Sequence, residues 1–326
     1  MRDYCRVTAA DAGIDLADFE RRLLESALVG SSENLRQPLT ELLVAGGKRV
    51  RPLLVYRFGH MVGGHRQELK TKLDEVAIAV EMLHTATLVH DDLIDEAETR
   101  RGRPAVHREH GREVALLVGD LYVARCGVHL ARAAVPAAAA ELWGALDRIV
   151  RGEIDQRGHR YDLAQTSEDY LLTIQRKTAS LLEAASVAGL AVGGGNEAQA
   201  AAARAYANHL GVAFQVVDDV LDYSGSANEL GKPVGNDIRE GTVTLPLILA
   251  ARLSPAPVPA ILASARERDD YGAVVLAVRR SGAIEKSLDV ADEHSRLAVA
   301  ALEAFPDGPD RDALAELALS LPQRRA

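Results

Sequence analysis

From Leu73 to Val89 the apolar residues Val76, Ile78, Ala79, Val80, Met82, Leu83, Ala86, Leu88 and Val89 surround most of a helix and do not form one stripe. That is the pattern of a helix buried on most sides within a bundle. The stretches Glu168 to Leu190 and Ala198 to Leu221 read the same way. Turn-forming residues separate such segments at Gly30-Ser31-Ser32, Gly63-Gly64, Pro104, Pro136, Gly193-Gly194-Gly195, Ser224 to Gly241, Ser254-Pro255-Ala256-Pro257 and Pro306-Asp307-Gly308-Pro309. No run alternates apolar and polar residues with β-branched side chains, as a strand would. With no repeat, low-complexity tail or long linker, residues 1–326 are expected to form a single all-α domain of roughly ten helices.

Composition narrows the class. Aromatics are 4% of the chain, and the 48% of hydrophobic residues lean on Ala, Leu and Val, of which Ala and Leu are strong helix formers. The 38 basic against 47 acidic residues give a net charge of -9, which argues against a nucleic-acid partner. Two cysteines, Cys5 and Cys126, cannot build a disulfide framework or a cysteine zinc site. No uncharged apolar run reaches the ~18 residues of a membrane span. The opening MRDYCRVTAADAGIDL lacks the apolar stretch of a signal peptide. The expectation is a cytoplasmic protein with no transmembrane segment.

The chemistry lies in two carboxylate triplets, His90-Asp91-Asp92-Leu93-Ile94-Asp95 and Val217-Asp218-Asp219-Val220-Leu221-Asp222. Each places acids at i, i+1 and i+4. At about 100° per residue the first and last lie about 40° apart on one helix stripe. Unpaired, such carboxylates repel one another and resist desolvation. Mg²⁺ resolves the conflict, since it takes oxygen ligands and bridges carboxylates to phosphates. A single such triplet can equally be a solvated acidic turn, the reading given to Asp269-Asp270 in its charged run. Two basic runs complete a diphosphate site: Gly46-Gly47-Lys48-Arg49-Val50-Arg51-Pro52 supplies three cations, and Arg100-Arg101-Gly102-Arg103-Pro104 begins five residues after Asp95. No Ser/His/Asp or Cys/His arrangement is evident, and His107, His110 and His159 are read as surface histidines.

GGKRVRP, HTATLVHDDLIDEAETRRGRP, RKTASLL and AFQVVDDVLDYSGSANELGKPVGNDIREGTVTLP resemble, in order, the motifs of the trans-isoprenyl diphosphate synthases, or polyprenyl synthetases. The resemblance runs from Leu39 to Leu249. It implies a class I isoprenoid synthase helical bundle around a deep central cavity, acting as a homodimer on isopentenyl diphosphate and an allylic prenyl diphosphate. It assigns Asp91, Asp92, Asp95, Asp218, Asp219 and Asp222 to three Mg²⁺ ions on the allylic diphosphate. Arg100, Lys177 and Lys232 match positions that contact that diphosphate; Lys48, Arg51, His84 and Arg101 match the isopentenyl diphosphate site; Thr178 and Gln215 match positions flanking the reaction centre. One departure is Thr242, where many short-chain members carry Lys. The terminal Arg324-Arg325 is read as a solvated tail.

Product length is read at Ala86 and Thr87, five and four residues before Asp91, where short-chain members commonly place an aromatic stopper. Its absence points to a product of C30 or more, with a geranylgeranyl-type product (C20–C25) as the alternative. A terpene cyclase is disfavoured by the second triplet and by Lys48, Arg51 and Arg101. A regulatory subunit of a heteromeric synthase is disfavoured by the retention of both acid motifs.

Overall fold

The computed structural model describes residues 14–225, 234–254 and 257–323. Lys232, Arg324 and Arg325 lie outside them. Helix follows helix throughout, as the composition predicts: α1 (Leu16–Leu28), α2 (Glu33–Val44), α3 (Val50–Gly63), α4 (Gln67–Ile94), α5 (Val106–His110), α6 (Arg112–Ala133), α7 (Pro136–Gly158), α8 (Ser167–Ile174), α9 (Ser180–Gly193), α10 (Glu197–Ser224), α11 (Asn236–Arg239), α12 (Leu245–Leu253), α13 (Pro257–Arg268), α14 (Gly272–Arg280), α15 (Ala283–Ala301) and α16 (Pro309–Ser320). A π-helical turn, Gln175–Ala179, joins α8 to α9. Among the described residues these sixteen helices exceed the expected ten because the chain after Gly235 is cut into short pieces, α11 to α14 having 4, 9, 12 and 9 residues. The expected absence of strands also needs correction. Thr99–Arg100 (β1) and Arg103–Pro104 (β2) pair antiparallel in a minimal hairpin.

Local chemistry explains the helix starts. Asp15 caps α1 by accepting from the Ala17 and Asp18 amides, both at 3.0 Å. Thr166 and Asp169 form a reciprocal capping box at α8.

The chain forms two compact units, each assembled from separate stretches. The first comprises residues 1–146, 181–204 and 304–313; the second comprises 147–180, 205–303 and 314–326. In the first, α4 is the centre, packing against α3 and α6, and its residues Val76, Val80, Met82 and Leu83 are fully buried. The second is built around Val216, Tyr223, Leu247 and Val274, all inaccessible to solvent.

Helix α6 has 22 residues and is by length and composition apolar enough to cross a membrane, although Asp120 and Arg125 interrupt its apolar sequence. Only 44% of its apolar stretch is buried, yet α6 is also the principal partner of α4.

Within the first unit, α3 meets the 181–193 stretch of α9 backbone to backbone. Gly59 and Gly63 on one side face Gly189 and Gly193 on the other, each pair four residues apart and so on one helix face. A Cβ at Gly193 would lie 2.6 Å from Val62 Cγ2, and one at Gly189 would overlap the Val55 backbone. Helix–helix packing this close tolerates no side chain. Gly189→Ala should therefore destabilise the fold by about 1–3 kcal/mol through overpacking. The measurement is the denaturant midpoint, and an unshifted midpoint would mean that the helices can separate without cost.

Candidate active site

The first acid triplet closes α4. Asp91 is half-buried and Asp92 is 2% exposed, both in the last turn; Asp95 is exposed and caps the helix, its N–H donating to Asp91 O at 2.8 Å. Carboxylates at a helix C-terminus face the negative end of the dipole, so a nearby cation stabilises them. The hairpin provides one. Arg101 and Gly102 both adopt positive φ, +54° and +76°, as a two-residue type I′ turn requires. This turn presents Arg100, whose Nε donates to Asp92 Oδ1 at 2.8 Å and whose Nη2 reaches the same oxygen. Arg100, expected on a diphosphate, thus holds Asp92 in this structure.

Arg101 reaches in another direction, donating to Leu42 O at 3.1 Å and to Gly46 O. It therefore ties the hairpin to the Gly46-Gly47 turn. Of the three cations in that run, Arg49 is committed elsewhere. It is buried, and its Nη1 donates to Glu81 Oε1 at 2.5 Å while Nη2 donates to Leu43 O at 3.2 Å. The other two cations of the run are Lys48 and Arg51. Burial pushes the Arg51 guanidinium down to about 10, with Glu81 opposing and Arg101 reinforcing the shift. Burial, then the charges of Arg51, Arg101, Arg49 and Arg100, holds His84 well below 6.5. The structure thus brings Arg51, His84 and Arg101 together near Arg100 and the first triplet. An arginine cluster with a neutral imidazole is a ready anion site.

The second triplet ends α10. Asp219 and Asp222 are 3% and 1% exposed, and Asp218 is half-buried. Tyr170 OH, from α8, donates to Asp219 Oδ2 at 2.5 Å, and Gln215 Nε2 donates to Asp219 Oδ1 at 2.8 Å. Gln215 Oε1 accepts from Thr178 Oγ1 at 3.0 Å, so both ends of the amide are oriented. Burial pushes Asp219 up to about 7 against the two hydrogen bonds, and the charges of Asp218 and Asp222 add to the rise. Asp222 Oδ2 accepts from the Asp237 amide at 3.1 Å.

The π-helical turn carries Lys177 and Thr178, and such turns are frequent at functional sites. Lys177 Nζ lies 2.5 Å from Glu153 Oε2 and donates to Gln156 Oε1 at 2.9 Å. Gln156 Nε2 in turn reaches Thr242 Oγ1 at 3.4 Å, linking the position that departs from the short-chain pattern to Lys177. Tyr170, Glu153 and Gln156 were not singled out in the sequence, because each acts from a helix other than the one bearing its motif. Two histidine readings also change. His107 is 6% exposed, and His110 is half-buried with Nε2 3.1 Å from Glu41 Oε2. His159 is partly exposed beside Asp162. Asp269, on the surface, pairs with Arg239 at 2.9 Å.

Comparison with known proteins gives the family. The family model described as polyprenyl synthetase matches residues 32–275. The chain is 36% identical over 316 residues to heptaprenyl diphosphate synthase component 2 of Geobacillus stearothermophilus, covering 95% of this chain and 96% of that protein. It is 35% identical over 306 residues to a short chain isoprenyl diphosphate synthase of Methanothermobacter thermautotrophicus, covering 92% and 93%. A polyprenyl synthase from Caulobacter crescentus, solved in complex with calcium and isoprenyl diphosphate, superposes with a TM-score of 0.91 at 35% identity, covering 100% of this chain and 98% of that one.

The imidazoles give the fold a pH dependence of definite sign. Burial holds His60, His84, His107, His129, His209 and His294 below 6.5, His60 as far as about 4. As pH falls through 6.5 the unfolded chain gains protons that the folded chain refuses, so stability present above 6.5 is lost; for His60 the loss continues down to about 4. The thermal midpoint should fall between about pH 7 and pH 5, with a shallower slope for His84→Gln. Identical slopes for the two proteins would show that His84 accepts a proton within the fold.

Proposed function

The chain belongs to the polyprenyl synthetase family and is a prenyltransferase, and on that premise we propose that it condenses isopentenyl diphosphate head-to-tail with an allylic prenyl diphosphate to give a product of C30 or more. The observation that carries the reading is the recurrence of one device. Each acid triplet ends a buried helix with a central carboxylate, Asp92 or Asp219, held by a specific donor. The cationic group of Arg51, His84 and Arg101 stands beside the first.

Asp91, Asp92 and Asp95, with Asp218, Asp219 and Asp222, are the residues that would hold Mg²⁺, three ions per active site. They fit it: the donors are all oxygen, and a dication relieves the burial and like charge that raise Asp219 to about 7. Bound Mg²⁺ supplies electrostatic stabilisation of the departing diphosphate. Arg100 and Lys177 exchange Asp92 and Glu153 for oxygens of the allylic diphosphate, with Lys232 as the third cation. Lys48, Arg51 and Arg101 grip isopentenyl diphosphate, the guanidinium groups as bidentate forks. His84, neutral at working pH, donates a hydrogen bond there without adding charge. Thr178 and the oriented Gln215 amide flank C1.

With both diphosphates so held, the allylic C1–O bond breaks and its electron pair leaves with the diphosphate. The double bond of isopentenyl diphosphate attacks C1, forming the new carbon–carbon bond. A proton then passes from the condensed unit to the released diphosphate, restoring an allylic double bond. The residues contribute preorganised charge and orientation, and no protein nucleophile takes part.

Length rests on Ala86 and Thr87. Ala86 is buried with Met82 and Leu83 one turn deeper, and neither position offers the ring that stops short chains. Full-length likeness to both a heptaprenyl and a short chain synthase leaves such local side chains to set the length. Incubation with Mg²⁺, isopentenyl diphosphate and each allylic starter, followed by product sizing, tests both parts. Wild type should release C30 or longer, Ala86→Phe should stop at C15 or C20, and folded Asp219→Ala should lose about 10³-fold or more in turnover. Near-normal turnover of Asp219→Ala removes the metal assignment; wild-type products ending at C20 remove the long-chain one.

A homodimer completes the proposal, supported by the exposed Leu116, Leu117 and Val128 of α6. The name of the Geobacillus relative, a component 2, favours a different second polypeptide as the alternative. The pure chain should have twice the monomer mass by light scattering and be active alone. A monomer that gains activity only with a second polypeptide selects the alternative.

A further inference from the structure

One cluster in the first unit has no part in prenyl transfer. His60 lies in the last turn of α3, His65 follows the Gly63-Gly64 turn, and Asp310 sits in the first turn of α16. Each offers a ligand atom, and these three atoms lie within 4.8 Å of one another. Gly64 makes this possible. Its φ of +67° and its N–H bond to His60 O at 2.8 Å fold the chain back, so that the two imidazole centroids stand 4.0 Å apart.

The groups are arranged as ligands. The two oxygens of Asp310 have separate roles: Oδ1 accepts from Arg57 Nη1 at 2.7 Å, while Oδ2 lies 3.7 Å from His65 Nε2. Arg57 therefore orients the carboxylate from behind, as an outer-shell partner does in metal sites. His60 Nδ1 is buried and has no hydrogen-bond partner among the described residues. Buried polar atoms are normally satisfied, so an unpartnered ring nitrogen on a member of this cluster requires an explanation.

We propose that His60, His65 and Asp310 form a binding site for a first-row transition dication, with zinc the best match. Two imidazoles and one carboxylate are a mixed nitrogen and oxygen set, which suits zinc; the aspartate triplets, with oxygen alone, suit Mg²⁺. Tetrahedral ligands at about 2.0–2.1 Å from zinc are about 3.3 Å apart, so the atoms must close modestly. The His65 side chain is 57% exposed and can supply that movement by rotation. An adjoining cavity of about 230 Å³, lined by both histidines, Tyr56 and Asp74, gives entry and room for a water as fourth ligand. The ion would tie α16 to the α3–α4 turn, a structural role independent of turnover.

Zinc chloride titrated into the full chain in excess Mg²⁺, in competition with a chromophoric chelator, tests the site. Wild type should bind one equivalent. His65→Ala should bind at least tenfold more weakly, with an unchanged prenyl-transfer rate and an unchanged melting profile without zinc. In a second measurement the Cu²⁺-loaded wild type should show nitrogen superhyperfine splitting from two imidazoles, reduced to the pattern of one in His60→Gln. Wild type that takes up no zinc, or His65→Ala that binds it equally well, overturns the site. An unchanged two-imidazole pattern in His60→Gln also overturns it, by moving the ion to other histidines such as the His209–His294 pair.

Discussion

Burying carboxylates at the ends of helices is the constraint on which the rest of this structure depends. Asp92 and Asp219 lose water on folding and gain repulsion from Asp91 and Asp95 or from Asp218 and Asp222. Within its own helix Asp219 gains only the neutral Gln215 amide, and the further donors come from other elements. The hairpin after α4 delivers Arg100 to Asp92, and α8 delivers Tyr170 to Asp219. A site that must later receive dications and a diphosphate is thus held in shape by donors that can exchange partners.

The same logic, with the sign reversed, organises the loop before α3. Arg49 adopts a left-handed backbone, φ +53°, which a non-glycine residue takes only at a cost. Its guanidinium is held by buried Glu81 and by Leu43 O. That anchor fixes the start of α3, and so places Arg51 two residues on beside His84 and Arg101. One arginine of the motif is structural so that its neighbours can be positioned for an anion.

Backbone proximity supplies the remaining rigidity. In the first unit, glycines remove the side chains that would keep α3 and the 181–193 stretch apart. In the second, the π-helical turn is confined from two sides. A Cβ at Gly211 would lie 2.6 Å from Ala179 Cβ, and one at Gly152 would lie 2.9 Å from Arg176 Cβ. Lys177 and Thr178 therefore sit on a turn that has little room to relax into regular α-helix.

The sequence by itself determined the helical class, the breaks between helices and the chemistry of the acid and basic motifs. Those are local properties: acids at i, i+1 and i+4 share a helix face whatever surrounds them. It also carried Ala86 as a small residue at a telling position. Only the tertiary structure decided which cations are engaged and by what. Tyr170 and Asp219 are 49 residues apart, and Arg57 and Asp310 are 253 apart. Arg49, indistinguishable in sequence from Arg51, turns to Glu81 because the backbone at that residue is left-handed. His107, which looked like a surface residue in a basic run, is buried by the helices around it. Periodicity reports what lies along one helix. Which side chains of other helices reach its face depends on packing between segments distant in the chain, and no local pattern encodes that.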